Sequence, residues 1–198
     1  NMKCARAIIS FIFLALMLVS CDNQQNQNET NLQNPQDSTQ TNEPSQTTAQ
    51  IGLNYYQPFT LYLSSGKTIN MQKTEQGFKT NSDKIILLHF FTSSCGKPCM
   101  VQSAYLQGFA KKYPDDLRVI GVLLEDHDEN SIRDFAKQEE INYELSYGQN
   151  NYLIAKAANS ELDGIPTSIL YDKNGNFIRS YDGITPPEMI ESDIKKEL

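Results

Sequence analysis

The sequence predicts an α/β domain: a central mixed sheet flanked by helices, with a β-hairpin extension at its N-terminal side. Three observations carry that prediction. Lys84 to Phe91 and Leu117 to Leu124 are near-continuous apolar runs, the pattern of strands covered on both faces. Segments with apolar residues at helical spacing follow each of them. Two further pairs of short apolar runs, one before and one after this unit, are joined by turn residues and read as hairpins.

The chain opens on a leader. Residues 1–20 have a basic start (Lys3, Arg6) and an apolar run from Ala7 to Val19, too short to span a bilayer comfortably and fitting the apolar region of a secretory signal. Leu18-Val19-Ser20-Cys21 resembles the bacterial lipobox, which makes Cys21 the expected lipidated first residue of the mature protein. Several acyl chains on one cysteine anchor a protein without spanning the membrane. Asp22, directly after Cys21, fits retention at the inner membrane in some bacteria. From Asp22 to about Gln50 the chain is nearly all Asn, Gln, Thr, Ser, Pro and acidic residues, with one leucine and no aromatic. Such a stretch cannot bury enough apolar surface to offset its ordering entropy, so residues 21–50 are expected to form a disordered, lipid-anchored linker with a reach of roughly 30 Å.

Residues 51–198 are expected to fold. Phe59–Leu63 alternates, Ser64-Ser65-Gly66-Lys67 turns, and Thr68–Met71 returns. After the strand ending at Phe91, a helix runs from about Lys97 to Lys112, with Val101, Tyr105 and Phe109 on its apolar face and Leu106 and Tyr113 nearby. Pro98 sits in its first turn, where a missing N–H costs nothing, and Pro114 closes it. Beyond the strand ending at Leu124, polar residues 125–130 lead into a helix facing inward through Ile132, Phe135 and Ala136. Tyr152 to Ala158 is a further short helix. Thr167–Tyr171 and Asn176–Tyr181 flank Asp172-Lys173-Asn174-Gly175, a hairpin signal, and Pro186-Pro187 opens a last helix.

The bulk composition narrows the function. With 17 basic against 24 acidic side chains, a net charge of −7, the chain lacks the basic footprint that nucleic acid requires. It has four cysteines; two belong to the leader region, which leaves Cys95 and Cys99 for the folded part. A lone close pair reads as redox or metal chemistry rather than a scaffold staple. Cys95 falls where a buried strand meets a helix, and unpaired helix N–H groups and the macrodipole favour a thiolate there. Cys99, one turn into the helix, is the more buried partner expected.

These pieces together resemble the thioredoxin superfamily, and within it the TlpA/ResA-like exported reductases. The resemblance runs from about Phe59 to the C-terminus. It is carried by Phe59 and Gly66-Lys67 of the leading hairpin, by His89-Phe90-Phe91-Thr92-Ser93-Ser94-Cys95, by Pro98-Cys99, and by Gly164-Ile165-Pro166-Thr167 before the second hairpin. It implies a thioredoxin-like fold, with Pro166 as a cis-proline that packs against the cysteines and binds substrate backbone. It further implies a protein-disulfide reductase of the cell envelope, facing the periplasm, with no cofactor beyond the Cys95–Cys99 disulfide. Its partners would be thiols and disulfides of exported proteins, such as apocytochrome c or copper-site thiols, and a membrane thiol carrier as electron donor.

Three departures from the family pattern stand out. The family reads C-x-x-C, whereas this chain reads Cys95-Gly96-Lys97-Pro98-Cys99, with one residue more. That spacing occurs in SCO-type copper chaperones, the alternative reading, but the stretch Leu162-Asp163-Gly164-Ile165-Pro166 lacks the histidine those proteins use as a ligand. The tryptophan before the first cysteine is Ser94, and the chain has no Trp at all. The buried acid of thioredoxin, six residues before the first cysteine, is His89. His89 is either a hydrogen-bonded core imidazole or a proton acceptor for Cys99. His127, Glu125 and Asp126 read as surface residues of a polar loop.

Overall fold

The computed structural model describes residues 54–158 and 164–198. The leader, Cys21, the linker, the expected onset of order at Ile51 and residues 162–163 lie outside them. In chain order the elements are β1 (Phe59–Leu63), β2 (Thr68–Lys73), β3 (Phe78–Thr80), β4 (Ile85–Phe91), α1 (Lys97–Lys112), β5 (Leu117–Leu123), α2 (Glu129–Gln138), β6 (Glu144–Tyr147), α3 (Asn150–Ala157), β7 (Thr167–Tyr171), β8 (Phe177–Asp182) and α4 (Pro187–Glu197). None of the helices among the described residues is long and apolar enough to cross a membrane.

The eight strands form one mixed sheet in the order β3-β2-β1-β6-β5-β4-β7-β8. Strand β4 is its axis. All seven of its residues are buried, as its unbroken apolar run requires. It pairs parallel to β5 and antiparallel to β7. Alternation along β4 splits the interior into two layers. Ile85, Leu87 and Phe91 face Leu106 and Phe109 of α1, Ile132 of α2, and Ile190 and Ile194 of α4. Ile86, Leu88 and Phe90 face Ile154, Ala155 and Ala157 of α3 together with Leu61, Leu63, Ile69, Met71 and Phe78 of the first three strands. Helices therefore lie on both faces, three against one, and the N-terminal strands complete the thinner side.

Those N-terminal strands reach the far edge of the sheet. Phe78 N–H donates to the Gly175 carbonyl at 2.8 Å, and Phe177 N–H donates to the Gln76 carbonyl at 2.7 Å. The segment at β3 is thus clasped to the β7–β8 turn, and Gly77 bridges Asn176. The clasp needs glycine. Gly175 has φ +82°, and a Cβ there would lie 1.8 Å from the Phe78 carbonyl oxygen. The turn is also held by Asp172, whose side chain accepts from the Asn174 and Asn176 amides, each at 2.8 Å.

Two strands were not anticipated, β3 and β6. Both are short, and β6 carries Glu144 and Ser146, which mask any apolar signal. These polar groups are tolerated because they are partnered. Arg118 Nε donates to Glu144 at 2.7 Å and Ser146 Oγ donates to the Gly121 carbonyl at 3.4 Å. β6 matters because it joins the N-terminal strands to the sheet, antiparallel to β1 and parallel to β5. The inward face of α1 also differs from the one its apolar residues indicate. Cys99, Gln102, Ser103, Leu106 and Phe109 are buried, while Val101 and Tyr105 lie at its margin. Gln102 accepts from the Thr185 amide at 2.9 Å and Ser103 bonds the Tyr143 hydroxyl at 2.7 Å, so two polar residues occupy the core side.

Gly175→Ala is expected to destabilise the domain by more than about 1 kcal/mol, because the left-handed backbone and the clash with β3 oppose it together. Urea unfolding of the two proteins at one pH measures this; equal midpoints would show that the clasp contributes nothing.

Candidate active site

Strand β4 ends at Phe91, and a single 3₁₀ turn, Ser93–Cys95, follows before α1 begins. Cys95 sits in that turn, one residue ahead of the helix N-cap Gly96, rather than in the helix itself. Gly96 has φ +68° and ψ −141°, a conformation open to glycine and strained for other residues. The extra residue of the C-x-x-x-C spacing is absorbed here, upstream of the helix. Cys99 therefore keeps the third helical position, with Pro98 harmlessly at the second. Had the insertion fallen inside the helix, Cys99 would have turned by about 100°. Instead Cys99 is only 5% exposed and packs in the layer beneath α1.

Cys95 and Cys99 form a disulfide, with their Cα atoms 5.8 Å apart, inside the range the bond requires. Cys95 is half-buried and Cys99 buried, an asymmetry that presents Cys95 to a partner. The first turn of α1 carries no acidic residue and does carry Lys97. Its exposed N–H groups and that cation both favour negative charge next to Cys95.

Pro166 comes to the same place from β7. The Ile165–Pro166 bond is cis, as the resemblance implied. Cys95 Sγ lies 3.8 Å from the Ile165 carbonyl oxygen. The loop is held on both sides of the proline: Thr167 Oγ1 donates to the Gly164 carbonyl at 2.7 Å, and the Gly183 amide donates to the Pro166 carbonyl at 2.7 Å. The disulfide and the proline thus lie together at the C-terminal end of β4.

His89 is fully buried. Its ring stacks on Phe91 at 5.1 Å, on the face of β4 that carries the layer containing Cys99. Nδ1 lies 3.0 Å from Ser168 Oγ across the β4–β7 pairing, and Nε2 has no partner. Desolvation lowers its pKa from 6.5 to about 3, so the imidazole is neutral at physiological pH. His127 and Glu125 are less peripheral than their loop composition indicates. Glu125 Oε1 accepts from both the amide (2.7 Å) and the hydroxyl (2.8 Å) of Ser93, inside the turn that bears Cys95. His127 Nε2 lies 3.7 Å from the second Glu125 oxygen, and its Nδ1 lies 3.1 Å from Ser131 Oγ. Nothing in the spacing of residues 125–127 announces this, because it depends on the register of β4 against β5. Asp126 accepts from Gln149 at 3.0 Å and does not join the site. Ser94, in the place of the family's tryptophan, is exposed.

The chain superposes on the StoA protein of Bacillus subtilis with a TM-score of 0.52 and 20% identity, covering 70% of this chain and 96% of that one. It superposes on the exposed lipoprotein thioredoxin of Streptococcus pneumoniae with a TM-score of 0.54 and 20% identity, covering 71% and 99%. The fold is thioredoxin-like. No protein-family model matches the chain. In sequence it is 27% identical over 113 residues to the thiol–disulfide oxidoreductase ResA of Bacillus thuringiensis, a stretch covering 57% of this chain and 63% of that protein. The ResA of Bacillus cereus matches to the same extent. The sequence similarity is thus to ResA proteins, in the direction the motifs indicated, and the match spans a little under two thirds of those relatives' length.

The depressed His89 pKa has a consequence for stability. The unfolded chain binds a proton at this site below about pH 6.5, whereas the folded chain does so only near pH 3. The unfolded state therefore holds more protons between those values, and stability falls as the pH drops through that window, by up to about 1.4 kcal/mol per pH unit. Urea midpoints measured from pH 7 to pH 4 are expected to decline, and His89→Phe is expected to flatten the decline. A variant with the wild-type slope would show that His89 titrates normally.

Proposed function

We propose that the chain is a membrane-tethered thiol–disulfide oxidoreductase of the cell envelope that reduces disulfides in exported proteins. The observation that carries this reading is the half-exposed Cys95, bonded to a buried Cys99 and lying beside the cis Ile165–Pro166 bond. A structural disulfide has no need of such asymmetry, whereas an exchange reaction needs one reachable sulfur and one protected one. The ResA relatives, described as thiol–disulfide oxidoreductases, support the same chemistry.

The reaction runs from the dithiol form. The Cys95 thiolate attacks one sulfur of the substrate disulfide; the S–S bond breaks, and the departing substrate thiolate takes up a proton. Cys99 then loses its proton and attacks Cys95 Sγ, which releases the second substrate sulfur as a thiol. Two electrons have passed to the substrate and the Cys95–Cys99 disulfide remains. A dithiol protein in the membrane, acting through the reverse exchange, restores the starting state. Pro166 offers its backbone neighbourhood to the substrate chain next to the reacting sulfurs. His89, bonded to Ser168 Oγ and held neutral by burial, acts as a core imidazole beside the site; with a pKa of about 3 it is too weak a base to take the Cys99 proton, which passes to the departing substrate thiolate or to water. The anchor is lipid on Cys21, which leaves the domain facing the periplasm, and Asp22 fits retention at the inner membrane.

Covalent trapping tests the role of each cysteine. Cys99→Ala is expected to accumulate mixed disulfides with exported proteins, because nothing resolves them, while Cys95→Ala accumulates none. Trapping by Cys95→Ala alone would reverse the assignment. Independently, wild-type protein is expected to partition into detergent and Cys21→Ser into the aqueous phase; a wild type that stays aqueous removes the anchor from this reading.

A further inference from the structure

We propose that Glu125 is a positioning residue for Cys95: it fixes the turn that presents the reactive sulfur, and its charge restrains formation of the thiolate. This rests on the thiol–disulfide reading and adds to it a residue whose sequence context marks only a polar loop.

The turn Ser93–Cys95 has little else to hold it. None of its three residues is buried, and Thr92 before it gives no side-chain cap. Within the segment the Cys95 amide reaches the Thr92 carbonyl at 3.3 Å, and the Ser94 and Thr92 hydroxyls lie 3.2 Å apart. From outside, Glu125 takes both the amide and the hydroxyl of Ser93 on one carboxylate oxygen, at 2.7 and 2.8 Å. Hydrogen bonds to a carboxylate are roughly twice as strong as neutral ones. The other restraints are the packing of Cys95 against the core and the disulfide, and the disulfide is lost in the dithiol state. Glu125 therefore matters most when Cys95 must attack.

Glu125 is itself held. Phe91 pairs with Leu123 in the parallel ladder, and the Leu124 amide donates to the Phe91 carbonyl at 3.0 Å. That register sets Glu125 beside the residues that follow Phe91. Its second oxygen faces His127, whose ring packs against Phe135 at 5.9 Å, and Phe135 packs against Phe91 at 6.3 Å. His127 is further tied to Ser131, which closes the capping box of α2 with Asp128. The start of α2 is thereby linked to the turn bearing Cys95.

The charge acts alongside the geometry. A carboxylate bonded into the turn opposes a thiolate two residues on, while Lys97 and the start of α1 favour it. Other titratable groups on neighbouring elements are Asp126 and His127 in the same loop and Asp182 on β8, whose carboxylate lies 3.3 Å from Thr167 Oγ1.

Two substitutions separate geometry from charge. Glu125→Gln keeps an acceptor and removes the charge; Glu125→Ala removes both. In the reduced full-length protein, hydrogen exchange of the Ser93 amide is expected to accelerate at least about tenfold in Glu125→Ala and to stay near wild type in Glu125→Gln. Alkylation of Cys95 by iodoacetamide near pH 6.5 is expected to rise several-fold in Glu125→Gln, its pH curve moving to lower pH. Unchanged amide exchange in the alanine variant, with an unchanged alkylation curve in both, would overturn the proposal. Should Glu125→Ala not fold, the alkylation curve of Glu125→Gln decides. Failure of the underlying reading looks different: wild-type Cys95 and Cys99 would not cycle reversibly with a dithiol, while Ser93 amide protection would still report the clamp.

Discussion

The register of β4 between β5 and β7 is the constraint on which the rest of this structure depends. β4 is hydrogen-bonded along both edges and buried on both faces. Its partners run in opposite senses, so the end of β4, the end of β5 and the start of β7 meet at one end of the central strands. Cys95 follows the first, Glu125 the second, and Pro166 precedes the third. A slip of one residue in either ladder would turn each side chain to the opposite face and separate these groups. The apolar content of β4 thus holds the candidate site together, although none of its apolar residues takes part in the chemistry.

At that end the chain solves a local problem. One residue more between the cysteines than the family pattern allows would, inside a helix, swing Cys99 away from the core. Placing the surplus at Gly96 leaves the helix in phase and keeps Cys99 buried. Cys95 is left in a short exposed turn that lacks the apolar anchor a tryptophan would supply, and Ser93 is tied to Glu125 instead. Polar contacts have taken over part of the work that apolar contact does elsewhere in the domain.

Polar groups in the core follow a related logic. Gln102, Ser103, Ser146 and Asn151 are buried, and each has at least one partner that bridges two elements. His89, Gln102 and Asn151 share one feature: each has one buried polar atom bonded and another, Nε2, Nε2 and Oδ1 respectively, without a partner among the described residues. An imidazole in that setting cannot carry charge cheaply, which keeps the layer around Cys99 neutral.

The sequence alone determined the fold class, the two central strands, both hairpins, the four helices and the close cysteine pair. Each rests on local chemistry: apolar runs long enough to need burial, turn residues with few alternatives, and two cysteines at a strand–helix junction. The cis-proline was legible only through family resemblance, since no local feature of Ile165-Pro166 sets its isomer. The tertiary structure decided what depends on partners distant in sequence. β6 is invisible locally because Glu144 and Ser146 find their partners on β5. The buried face of α1 includes Gln102 because Thr185 waits 83 residues away. The face of His89 and the reach of Glu125 to Ser93 follow from strand register, which a linear pattern does not encode. Burial can be read from composition, but the satisfaction of buried and half-buried polar groups is a property of the assembled fold.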